Sequence, residues 1–384
     1  LEGREVFSGN PDLSFGGTGF VSVDAQQLGA NFDFKAAAVA VQPDGKTIVA
    51  GVGVGHAGVG SLVVARFNAD GSLDRGFGSA RSGILEEDIS PDVSRLVPWD
   101  PLGNVFTPGG SYLTKVSCVF VDGNGRILVG GSYLHDLSAS PGDFGAERGI
   151  VVRFTKDGLR DDTGFGNGHG GSEGNGQNGT ARFLNGDGDT SVASITQDPR
   201  TGKYLVFGST YTNVFNGVSN ADMTVTRLNA NGSDDGSFGD HGSDGYRAIG
   251  LGGDEYAVAG GLDLRGTAAT NPNYGSIYVL GRTGSGFQAP VLSVMARLTP
   301  SGGLDSSFGG LAHGGYDGIG RRFVNQVERP SGIVQLGDGS FVIAGTSYAA
   351  GRGASSVILQ HVGRNGDLTG FPGSATGATA VTTS

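Results

Sequence analysis

Apolar residues fall in short runs along this chain, separated by polar clusters rich in glycine, aspartate and asparagine. Runs such as Val39-Ala40-Val41, Ile48-Val49-Ala50 and Leu62-Val63-Val64-Ala65 alternate or are wholly apolar. They are too short for helices and are bounded by turn formers, which predicts antiparallel strands. The first unit shows the order most clearly. A strand from Ala37 to Gln42 leads through Pro43-Asp44-Gly45 to a strand from Lys46 to Gly51. A variable loop precedes a third strand, Leu62 to Phe67. Then come the turn Asn68-Ala69-Asp70-Gly71, the element Leu73-Asp74-Arg75-Gly76-Phe77-Gly78 and a fourth strand at Gly83-Ile84-Leu85.

This order recurs. Arg66-Phe67-Asn68-Ala69-Asp70-Gly71 is matched by Arg153-Phe154-Thr155-Lys156-Asp157-Gly158, Arg227-Leu228-Asn229-Ala230-Asn231-Gly232 and Arg297-Leu298-Thr299-Pro300-Ser301-Gly302. A degenerate fifth copy is His361-Val362-Gly363-Arg364-Asn365-Gly366. A four-stranded unit cannot bury its faces alone, so neighbours must stack. The prediction is an all-β fold, a β-propeller of five four-stranded blades closed by a terminal strand. It forms one domain over 1–384, with units at about 25–85, 86–182, 183–248, 249–324 and 325–384 and residues 10–24 as the closing strand. Fourth-strand candidates follow Gly19, Gly83, Gly179, Gly245, Gly320 and Gly377, one more than five blades need. Either Phe20-Val21-Ser22-Val23 completes the last blade as a clasp, or one terminal strand is surplus and pairs with a neighbouring molecule, giving self-association.

The strings Val39-Ala40-Val41-Gln42-Pro43-Asp44-Gly45-Lys46, Val63-Val64-Ala65-Arg66-Phe67-Asn68-Ala69-Asp70-Gly71-Ser72-Leu73-Asp74 and Phe77-Gly78 resemble the bacterial delta-60 repeat. The resemblance covers nearly the whole chain, strong in the first unit, good in the second and third, weak in the fifth and departing most in the fourth. The fourth departs at its first turn, Asn271-Pro272-Asn273-Tyr274-Gly275, which lacks Asp-Gly. The resemblance implies a β-propeller in an exported bacterial protein, secreted or on the cell surface, with no assigned activity.

Composition narrows the function classes. Glycine is abundant, at 74 residues, but the regular apolar runs between glycines separate this chain from disordered ones. A net charge of −11 disfavours nucleic acid and anionic membrane surfaces. No apolar stretch is long enough to insert into a membrane. Cys118, the only cysteine, sits in an apolar alternation and reads as a buried small hydrophobe; no internal disulfide can form. Leu1-Glu2 at the start reads as a processed or fragmentary chain whose signal peptide is gone.

The repeated Asp, Asn and Gly read as turn chemistry, since a catalytic group is used once. Phe15, Phe77, Phe165, Phe238 and Phe308 read as plugs between blades, and the repeated arginines are expected to pair with the Asp of a neighbouring turn. His169, His241 and His313 repeat too, but equivalent turns on adjacent blades lie on the order of 20 Å apart, too far to share zinc. Asn185, Asp187 and Asp189 have the alternating spacing of a calcium loop without its later Gly and Glu. No other cofactor is expected. The phosphate loop and His-Glu-x-x-His motifs are missing from the sequence.

Binding is expected on the variable loops, which share one face of the ring. Their candidates are Trp99, Tyr133, His135, Asp136, Glu147, Arg148, Tyr211, Asn213 and Asp222, for a protein or glycan partner. The expected function is a non-catalytic extracellular binding or scaffold module. The alternative is a glycan-active hydrolase or lyase. It would need two carboxylates about 5–10 Å apart, drawn from Asp33, Glu86, Asp136, Glu147, Asp222 and Glu255.

Overall fold

A computed structural model of the chain describes residues 11–23, 32–55, 60–87, 111–135, 146–166, 179–183, 189–214, 218–240, 245–250, 254–284, 292–309, 321–324, 327, 329–348, 355–367 and 378–381. The described residues contain no helix. They form five four-stranded sheets, each strand antiparallel to the next in sequence. The first sheet holds β1 (Phe32–Val41), β2 (Thr47–Gly55), β3 (Gly60–Phe67) and β4 (Ile84–Glu87). The second holds β5 (Ser111–Val121), β6 (Ile127–His135), β7 (Ala146–Phe154) and β8 (Thr180–Phe183). The third holds β9 (Thr190–Gln197), β10 (Tyr204–Val214), β11 (Val218–Leu228) and β12 (Tyr246–Ile249). The fourth holds β13 (Asp254–Leu262), β14 (Ile277–Gly284), β15 (Leu292–Leu298) and β16 (Arg321–Val324). The fifth holds β17 (Arg329–Gln335), β18 (Phe341–Tyr348), β19 (Ser355–Val362) and β20 (Ala378–Val381). The first and second strands of the first unit run past their predicted ends, to Phe32 and Gly55, on the variable-loop side.

The first strand of every sheet carries a bulge at the same place. The register skips Ala37, Ser117, Ala193, Val258 and Ser331, each four residues before the conserved strand end in its unit. An extra residue bends the strand and drives one carbonyl toward its partner. The partner strand therefore has glycine there: Gly51, Gly131, Gly208, Gly281 and Gly345. A β-carbon on Gly131 would lie 2.0 Å from the carbonyl oxygen of Lys115, and one on Gly208 1.9 Å from that of Ser191.

Adjacent sheets stack in chain order through continuous apolar layers. Leu62, Val64 and Phe77 of the first unit meet Ile127, Val129 and Val152 of the second. Leu128, Val151 and Phe183 meet Val192, Ile195 and Val206 across the next junction. Phe207, Met223 and Val225 meet Ile277, Val279 and Val294, and Leu280 and Met295 meet Phe341 and Ile343. This is the blade-on-blade packing of a β-propeller. Cys118 packs beside the second of these layers, and burial pushes its thiol pKa up to about 12.

A second device joins the units. The Gly78 amide donates to the Asp157 carbonyl of the next unit, and Phe77 rests on Gly158, whose φ is +80°. The same bond and contact recur from Gly166 and Phe165 to Asn231 and Gly232, from Gly239 and Phe238 to Ser301 and Gly302, and from Gly309 and Phe308 to Asn365 and Gly366. A positive-φ glycine fits because a side chain there would be strained and would strike the ring. Each repeated arginine lies over the plug of its own unit, with Arg66 4.6 Å from the Phe77 ring centre and Arg153 4.4 Å from that of Phe165. The expected pairing with the Asp of a neighbouring turn falls within each unit. Arg66, Arg153, Arg227 and Arg297 bind Asp74, Asp161, Asp235 and Asp305 of their own units. What the neighbour supplies is a backbone carbonyl: Lys156, Ala230, Pro300 or Arg364.

The outer faces of the first and fifth sheets differ from the rest. Val39 and Val41 of β1 are 65% and 66% exposed, whereas Val119 and Val121, their counterparts in β5, pack on the preceding sheet. On the opposite face of the fifth sheet, Val334 is 62% exposed and Val357 is exposed as well. Residues 20–23, expected as a closing strand, belong to no sheet here; β20 holds the fourth place in the fifth sheet.

Candidate binding site

The variable-loop ends of the sheets are tied together by two carboxylates, one of which, Asp189, the sequence reading treats as a calcium ligand. Asp189 Oδ1 accepts a hydrogen bond of 2.8 Å from the Glu147 amide of the second sheet, and its carbonyl accepts one of 2.7 Å from the Tyr211 amide. One junction further on, Asp254 Oδ1 accepts a bond of 3.1 Å from the Ala221 amide. Glu147 and Ala221 hold the same place in their third strands, so the two aspartates are equivalent clamps from sheet to sheet. Each follows glycine at the end of the loop entering its sheet, Gly188-Asp189 and Gly253-Asp254. That repeated pair is the signal in the sequence that marks the clamp.

At the junction of the third and fourth sheets, Tyr211 of β10 meets Tyr256 of β13. Their hydroxyls are 3.1 Å apart and their rings stand edge to face with centres 6.1 Å apart. Arg282, directly across from Tyr256 in β14, lies 5.1 Å from its ring centre. Both tyrosines are half-buried and Arg282 is exposed. Burial, reinforced by the bond to Tyr256 and the nearby acidic groups, pushes the Tyr211 phenol well above its ordinary range, so it stays neutral. Tyr256 and Arg282 escaped the sequence reading because both lie in regular strand, and only tertiary packing brings them to Tyr211.

The structure separates other candidates. Asp222 sits opposite Thr210, and Tyr211 opposite Ala221, so Asp222 and Tyr211 lie on opposite faces of the third sheet. Tyr133 and Arg148 do come together, as a cross-strand pair with Arg182 over the Tyr133 ring, but all three are buried. They form a wall between blades rather than an open surface. His135 ends β6 and Asn213 lies near the end of β10. Trp99, Asp136, Asn185 and Asp187, together with His169, His241 and His313, lie outside the described residues. Among the carboxylates considered for catalysis, Asp33 lies in β1, Glu86 accepts a bond of 2.9 Å from Ser61 and Glu255 is buried. Among the described residues, no group of three His, Cys, Asp or Glu side chains is placed to hold a metal ion.

Asp222 has an unusual environment. Burial raises its pKa. A raised folded-state pKa means stability is full below the unfolded pKa, about 3.9, and falls as pH rises through the folded value. Asp222→Asn is therefore expected to stabilise the protein at pH 7 and to have no effect on stability near pH 3. Urea unfolding at the two pH values checks this; equal effects at both would contradict it.

Comparison with known proteins gives a short family match and distant structural likenesses. Residues 42–77 match the family described as domain of unknown function (DUF5122) beta-propeller. No curated protein matches the chain. A levansucrase from B. megaterium is 9% identical over 91% of this chain and 85% of its own, with a TM-score of 0.38. A GH43 beta-1,3-galactosidase is 10% identical over 85% and 90%, with a TM-score of 0.36. A mannose phosphorylase from Leishmania mexicana is 13% identical over 82% and 80%, with a TM-score of 0.33. The short match falls on the first unit and agrees with the sheet topology: the chain is an all-β propeller.

Proposed function

We propose that this protein is a non-catalytic, extracellular or cell-surface binding propeller, and that its variable-loop face holds a glycan or protein partner at the junction of the third and fourth sheets. The observation that carries this reading is the trio of half-buried Tyr211 and Tyr256 with exposed Arg282. Two aromatic faces and a cation offer stacking and hydrogen bonding to a sugar ring or an extended peptide. The repeated polar residues elsewhere are occupied in holding sheets together, which leaves recognition to the loop ends. Screening on a glycan array and by pull-down, with Tyr211→Ala/Tyr256→Ala as the comparison, tests it. The double variant is expected to keep its fold and to bind the retained partner at least tenfold more weakly. Unchanged binding would move the site elsewhere.

A second reading has one observation in its favour. Asp222, whose pKa burial raises, is the kind of carboxyl that keeps a proton for a leaving group. If the protein cleaves a glycan and Asp222→Asn abolishes turnover without loss of binding, this reading replaces the first.

A further inference from the structure

The five sheets present five sockets, each a turn carbonyl beside a positive-φ glycine. Four are filled by the plug of the preceding unit. The fifth, on the first sheet, is filled by the segment from Pro11 to Val23. Gly16 donates to the Asp70 carbonyl at 2.8 Å, and a β-carbon on Gly71 would stand 3.2 Å from the Phe15 ring. Asp12 accepts from the Ser14 amide as Asp74 does from Gly76, and Gly19 donates to the Phe15 carbonyl as Gly83 does to Phe77. Residue for residue, this segment is the last quarter of a unit, and Phe20–Val23 corresponds to β4.

That quarter lacks the rest of its unit. Asp12 has no cationic partner among the described residues, where each equivalent Asp holds an arginine. Phe20 is exposed and pairs with no strand. The fifth unit shows the converse deficit. It has His361 where the others have arginine, Thr369 where they have the arginine's Asp, and Pro372 where they have the plug phenylalanine. Its β20 offers Ala378, Thr379, Ala380 and Val381, of which the two alanines have low strand preference. The first and fifth sheets also carry the exposed apolar faces, Val39 and Val41 on one and Val334 and Val357 on the other, that are mates at every other junction.

We infer that Phe20–Val23 is the fourth strand of the fifth sheet of the same chain, displacing β20, and that this exchange closes the ring by laying the fifth sheet on the first. In the register of the other units, Val21 faces Leu359 and Ser22 faces Ile358, the places β20 now gives to Thr379 and Ala380. Phe20 and Val21 bury more apolar surface there than Ala378 and Thr379, which they replace, and Val23 takes the place of Val381. The uncovered valines of the end sheets are buried in the same movement.

Two measurements on the full chain test this. In a Cys118→Ser background, Ser22→Cys with Ile358→Cys is expected to form a disulfide within one monomer, read by non-reducing electrophoresis and light scattering. The positions form a closely spaced antiparallel pair. A disulfide between two molecules would overturn closure within the chain. So would no disulfide at all while Ala380→Cys with Ile358→Cys forms one readily. Independently, Val21→Pro should lower Tm by about 5 °C or more, and Thr379→Pro should shift it by about 1 °C or less. A neutral Val21→Pro overturns the inference whatever the disulfides do.

Discussion

Gly131→Ala is expected to cost at least ~3 kcal/mol of stability and to leave much of the protein insoluble. The reason lies in the bulge at Ser117. It brings the Lys115 carbonyl oxygen to 2.0 Å from where the new methyl carbon would sit, with the Lys115 carbonyl carbon at 3.1 Å and the Val116 α-carbon at 3.2 Å. All three are backbone atoms, so no rotamer change relieves the clash. The first strand must move away from the second, losing ladder hydrogen bonds and the apolar layer beneath. Gly51→Ala and Gly208→Ala should behave alike, at 2.1 and 1.9 Å. Gly337→Ala is the control: nothing lies within 4 Å, and a change within about 0.5 kcal/mol is expected. Urea midpoints of the four variants decide the matter. A mild Gly131→Ala would mean that the bulge is not fixed.

Arg153→Ala has the second large expected effect, a loss of ~3–5 kcal/mol. The side chain is 1% exposed. It binds Asp161 at 2.8 Å, donates to the Gly164 and Ala230 carbonyls and to the Tyr204 hydroxyl, and lies on the Phe165 ring. Removing it strands a carboxylate and several acceptors at a junction between units. Arg153→Lys should recover only a small part, because an ammonium cannot span these partners in one plane or stack on the ring. Arg227→Ala should cost less, since Arg227 is better solvated in its otherwise similar place. Equal losses for the two alanine variants would show that the desolvated setting of Arg153 does not matter.

The strand pattern was readable because alternation and turn residues leave local marks, and the unit order followed from the repeat. The bulges were not readable. Ala37 and Ser117 look like ordinary strand residues, and only the glycine opposite each one hints at a close approach. Arg66 and Asp74 were both visible, and a pairing with the Asp of a neighbouring turn was expected; the carbonyl that the next unit supplies to Arg66 was not. The eight-residue separation returns the chain on itself, which only the turn geometry reveals. At the candidate site, Tyr211 was identified from its loop, whereas its partners Tyr256 and Arg282 come from the next sheet and depend on how sheets stack. Tyr133 and Arg148 looked like loop residues because β6 and β7 extend farther than their apolar runs.

The sockets that receive each plug are made from main chain alone. The four carbonyls that accept the arginines belong to a lysine, an alanine, a proline and an arginine, and the bond is the same in each case. A connector that ignores side-chain identity on its receiving side behaves like a standard fitting. Duplicating, deleting or reordering units leaves the fitting intact, provided the glycine remains. Loop sequences can therefore diverge freely from unit to unit, and an array of this kind can change length in evolution without re-matching any pair of surfaces at that joint.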